Sequence, residues 1–66
     1  MTITINGENR EFEGPLSVAD LLSSLGLEGK PVVVELDRQP VLPAAHATTT
    51  VGDGARVEIV TLAAGG

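Results

Sequence analysis

Ser17-Val18-Ala19-Asp20-Leu21-Leu22-Ser23-Ser24-Leu25-Gly26 is the stretch whose reading settles the fold. Val18, Leu21, Leu22 and Leu25 fall at i, i+3, i+4 and i+7, the spacing of one helical face. Ser17 precedes them as an N-cap, Asp20 sits where a capping-box acid places its charge near the helix N-terminus, and Gly26 closes the helix as its C′ residue. Such a helix has about two turns and is not stable in water unless its leucine stripe lies on a sheet. Leu21, Leu22 and Leu25 therefore read as core rather than as a groove for a partner.

The segments on either side read as that sheet. Met1, Ile3 and Ile5 alternate with Thr2 and Thr4, and Asn6-Gly7 follows, the strongest short hairpin signal. The returning strand, Glu8 to Glu13, is polar except for Phe12, as expected of an edge whose charges discourage further pairing, and Gly14-Pro15 ends it. Beyond the helix and the turn at Glu28-Gly29-Lys30-Pro31, Val32-Val33-Val34-Glu35-Leu36 is a third strand whose apolar start predicts burial near the sheet centre. Val41-Leu42 is a stub. From Pro43 to Thr50 no period is sustained, and a loose turn before a short β-bridge is expected. Gly52-Asp53-Gly54 is a turn, and Arg56 to Leu62 is the last strand, with Val57 and Ile59 on one face and Glu58, Val60 and Leu62 on the other.

Two strands, a helix and three further strands make an α+β protein, a mixed four- to five-stranded sheet with one helix packed on one face. With the short fourth strand at an edge, the crossover rule lets the strand after the helix pair with the hairpin and makes the last strand insert parallel to the first, which is the β-grasp, or ubiquitin-like, arrangement. The expected organisation is a β-grasp domain over 1–62 and a flexible Gly-Gly tail over 63–66. A single helix leaves one sheet face bare, so Val60 and Leu62 are expected to form an exposed apolar patch beside the tail, a grip for a partner, unless Val33 and the 43–50 loop cover them.

Composition narrows the chemistry. Nine acidic residues against four basic ones give a net charge of −5, which repels phosphate backbones and anionic lipid, and Phe12 alone offers an aromatic face; neither nucleic acid nor membrane is an expected partner. The opening residues lack the pattern of a signal peptide, so a cytoplasmic protein is expected. Without cysteine there is no thiolate site, and His46, the single histidine, makes no metal site alone. No serine sits in a nucleophile elbow, and Glu11 and Glu13 alternate along a solvated strand.

By elimination the reactive group is the α-carboxylate of Gly66. Gly65 and Gly66 carry no Cβ, so the pair can enter a narrow enzyme tunnel and leave the carboxylate open to attack. A carboxylate resists substitution until one oxygen becomes a leaving group; AMP transfer from ATP makes an acyl adenylate, and a sulfur nucleophile then displaces AMP to leave a thiocarboxylate. Everything else, ATP included, would belong to an activating enzyme, with no cofactor bound by the chain itself.

Ile3-x-Ile5-Asn6-Gly7, Ser17 to Leu22, Val32 to Glu35, and Gly52-Asp53-Gly54-Ala55-Arg56-Val57-Glu58-Ile59-Val60 leading to Ala64-Gly65-Gly66 together resemble the ThiS family, the sulfur carriers of thiamine biosynthesis. The resemblance spans nearly the whole chain. It implies adenylation at Gly66 by a ubiquitin-activating-like adenylyltransferase, a 1-thioglycine at that position, sulfur supplied by a donor such as a cysteine desulfurase, and delivery to thiazole synthase. Val60, Leu62, Ala63 and Ala64 are the expected partner contacts, and no metal is expected. The chain departs from the family pattern in reading Leu36-Asp37-Arg38 after the third-strand acid and Pro43-Ala44 with no arginine after the proline. The molybdopterin synthase small subunit, another sulfur carrier, a ubiquitin-like modifier and a non-covalent regulatory module are the competing readings.

Overall fold

The computed structural model describes residues 1–62. Helix α1, Val18–Ser24, starts where the capping pattern places it: the Asp20 amide donates to Ser17 Oγ at 3.0 Å and the Ser17 amide donates back to Asp20 Oδ2 at 3.3 Å. It stops in a Schellman motif. Gly26, at φ 74°, donates to the Ser23 carbonyl, and Leu27 donates to the Leu22 carbonyl at 2.8 Å.

Seven strands are formed among the described residues. β1 (Thr2–Ile5), β2 (Glu8–Glu11), β4 (Val32–Leu36), β5 (Gln39–Val41) and β7 (Arg56–Thr61) form one sheet in the order β2-β1-β7-β4-β5. β3 (Leu16–Ser17) and β6 (Thr50–Val51) make a separate antiparallel pair. β7 lies at the centre, parallel to β1 and antiparallel to β4. Two sequence-based expectations change here. The strand after the helix pairs with β7 and β5, not with the hairpin, because the last strand takes the place beside β1. The second strand ends at Glu11 rather than Glu13, although Phe12 continues the ladder through its amide to the Met1 carbonyl.

Both hairpins turn on two residues of positive φ, the geometry that matches strand twist: Asn6-Gly7 at 49° and 83°, and Asp37-Arg38 at 49° and 70°. The second turn lacks glycine, so strand β5 is invisible to a search for Asn-Gly or Asp-Gly. Asp37 is held instead by β7: its amide donates to the Arg56 carbonyl at 2.8 Å, and its Oδ1 accepts from the Arg56 amide at 2.9 Å.

The unperiodic 43–50 stretch contains a 3-10 turn, Pro43–Ala45, and closes the helix from outside. The carbonyls of Thr49 and His46 accept the amides of Val18 and Ala19, each at 2.9 Å. These are helix N-terminal donors with no partner inside the helix. Val18, Leu21 and Leu22 then pack on Ile3, Ile5, Val34, Val57 and Ile59, with Val51 and Ala55 completing the buried core. In the Val32-Val33-Val34 run only Val34 is buried, since alternation turns Val33 to the bare face.

Candidate functional site

The end of β7 brings the sequence-predicted surface residues together. Val57 and Ile59 face the helix, and Val60 is 58% exposed on the other side. Directly opposite it on β4 is Val33, 48% exposed. Val33 is thus a neighbour in an open patch and not a lid over it. Leu62, one residue past the strand, is 51% exposed. Its amide donates to the Pro31 carbonyl at 2.9 Å, which fixes the last described residue against the start of β4. Leu62 also lines an open groove of about 640 Å³ with Leu22, Leu27, Pro31, Pro43 and His46, so its surroundings reach round to the helical layer. Val60 and Leu62 are both exposed; Val60 lies on the bare face by alternation, whereas Leu62, past the end of β7, lines the groove beside the helical layer and does not share one patch with Val60.

Asn6 pins this strand. Its Nδ2 donates to the Ile59 carbonyl at 3.0 Å and its Oδ1 accepts the Ile59 amide at 2.7 Å. The side-chain amide thereby extends the β1–β7 ladder past the point where the backbone turns away. Sequence reading assigns Asn6 only to the hairpin turn; the 53-residue separation of the contact leaves no local signal.

His46 is a brace, its Nε2–H donating to the Val41 carbonyl at 3.1 Å. Among the described residues no group of three or more His, Asp or Glu side chains could hold a metal ion, and no helix is long and apolar enough to cross a membrane. Ala63, Ala64, Gly65 and Gly66, and with them the expected tail of 63–66 and its reactive terminus, lie outside the described residues.

A five-stranded mixed sheet with a parallel central pair, crossed on one face by a single helix, defines a β-grasp protein of the ubiquitin-like class. The ThiS family model matches residues 3–66, and the chain belongs to the ThiS family, the small sulfur carriers of thiamine biosynthesis. Its fold is similar to the crystal structure of a thiamine biosynthesis protein (ThiS) from Geobacter metallireducens, with TM-score 0.86, 35% identity and complete coverage of both chains. The solution structure of a thiamine biosynthesis protein from the same organism gives TM-score 0.82 at 36% identity, over all of this chain and 88% of that one. A curated relative, thiazole synthase of Paramagnetospirillum magneticum, is 38% identical over 66 residues; the chain spans 20% of that protein's length.

Proposed function

We propose that this chain carries sulfur as a thiocarboxylate at Gly66 for formation of the thiazole of thiamine. The observation that carries the reading is the family match, which runs through Gly65-Gly66. An oxygen of the Gly66 carboxylate attacks the α-phosphorus of ATP in a ubiquitin-activating-like adenylyltransferase, releasing pyrophosphate and leaving an acyl adenylate. The terminal sulfur of a persulfide, formed by a donor such as a cysteine desulfurase, displaces AMP to give an acyl disulfide, and a second thiol cleaves that S–S bond, leaving 1-thioglycine and a disulfide. Thiazole synthase is the acceptor. The thiazole synthase relative supports this pathway over the molybdopterin one.

The chain's own residues supply an unhindered carboxylate and a surface to hold. Val60 and Leu62 give the partner an apolar grip on the body, and Ala63 and Ala64 are small enough to follow Gly65 into a narrow entry. Intact mass tests the whole reading. The chain isolated from cells with the pathway induced should be about 16 Da heavier than its sequence, sulfur having replaced oxygen, and should lose that increment when incubated with thiazole synthase. Conjugation to a second protein, or an unchanged mass, would reject it.

A further inference from the structure

The end of β7 has one covered edge and one open edge. Opposed residues in an antiparallel pair alternate between exchanging hydrogen bonds and turning their amide and carbonyl outward. The Leu62 amide bonds to the Pro31 carbonyl, so Thr61, opposite Val32, turns its own amide and carbonyl away from β4, as Ile59 does. On that side β1 has already stopped. Its last residue in the ladder is Ile5, opposite Val57; the amide and side chain of Asn6 serve Val57 and Ile59, and the chain then turns back at Asn6-Gly7. No described residue bonds to the amide or carbonyl of Thr61, which is exposed. A groove of about 440 Å³ lies beside this edge, lined by Ile5, Leu25, Leu27, Ile59 and Thr61 itself.

We propose that a partner protein adds an extended segment to this edge, in the lane that β1 leaves, pairing its backbone with Thr61 and setting one apolar side chain in the groove. This rests on the sulfur-carrier reading, in which another protein must hold the chain while it acts at Gly66. An unpaired amide and carbonyl on a strand edge call for the backbone of another strand, which supplies both complements at once. Thr61 lies on the face of Val57 and Ile59, and a residue paired with it points its side chain to that same face, into the groove between β7 and the end of α1. Leu25 and Leu27 there select an apolar side chain. The outer edges of the sheet do not compete, because β2 carries Glu8, Arg10 and Glu11, and β5 carries Pro40, which has no amide to give. A strand held at Thr61 also grips the chain where its sequence leads on to Gly66, which a contact elsewhere on the body does not.

Amide hydrogen exchange followed by NMR tests this in the full-length chain, alone and saturated with the purified activating adenylyltransferase. In the free chain the Thr61 amide should exchange at least about tenfold faster than the Ile59 amide, which Asn6 holds, and in the complex it should slow by about tenfold or more. Two variants separate the backbone from the side chain. Thr61→Val keeps the amide and should bind within about twofold of wild type, whereas Thr61→Pro removes it and should bind about threefold or more weakly. Their urea midpoints should be close, since the N–H that proline lacks faces solvent in the free chain. A Thr61 amide already protected in the free chain, or unchanged in a complex that forms, overturns strand addition and leaves the carrier reading standing, as does Thr61→Pro binding as tightly as Thr61→Val. Failure of the wild-type chain to bind also overturns it, and the intact-mass measurement then shows whether the carrier reading falls too.

Discussion

Asn6 does two separate things. As a residue at φ 49° it makes the first hairpin, a conformation that asparagine adopts more readily than most side chains. As a side chain it holds both polar groups of Ile59, whose backbone lies next to the core. Asn6→Ala should keep the fold but lower stability by about 1–3 kcal/mol in urea unfolding, because a partly buried donor and acceptor lose their partners together. Ser17 has a simpler task. Ser17→Ala removes one side of the reciprocal cap and should cost about 1 kcal/mol by the same measurement. Asp37 is the counterpart of Asn6 at the other hairpin, tied to Arg56 through its amide and its carboxylate, and nothing in the local sequence announces that role.

Among the elements, α1 serves stability, and β7 is where the proposed function also places recognition. The helix is seven residues long and exists because Val18, Leu21 and Leu22 are buried. Leu21→Ala should therefore cost about 2–5 kcal/mol, the lost transfer energy plus that of the cavity left under the helix. β7 carries core on one face and exposed apolar side chains on the other. At its end, Leu62→Asp should change stability by less than about 1 kcal/mol, since the site is half exposed and past the strand. It should weaken binding to the activating adenylyltransferase by about tenfold or more, as loss of an apolar anchor does. Equal fractional losses in urea unfolding and in binding would instead assign Leu62 to the core.

For the whole molecule, the proposed carrier function assigns the chemistry to Gly66 and leaves the folded body to stability and recognition. A chain of 66 residues buries a modest core and has little material for a catalytic pocket, so an activated terminus handled by other enzymes suits its size. Deleting Gly66, or adding one residue after it, should abolish thiocarboxylate formation, read as absence of the mass increase of about 16 Da, with the urea midpoint unchanged because the buried core lies within residues 3–59. Normal adenylation of the Gly66-deleted chain would place the reactive group elsewhere.

The amino-acid sequence by itself determined the elements whose signals are local. The helix and both its ends follow from side chains within a few residues of one another, the Asn6-Gly7 hairpin from one dipeptide, and the two faces of β7 from simple alternation. The exposure of Val60 follows from that alternation together with the single helix. What only the tertiary structure decided depends on partners far apart in the chain. The position of β4 beside β7, the glycine-free turn at Asp37-Arg38, the 43–50 segment as a cap on α1, and the meeting of Glu35 with Glu58 each require a strand or carbonyl from elsewhere. A period of two or of 3.6 tells which way a side chain points; which strand lies opposite is set only when the sheet closes over one shared core.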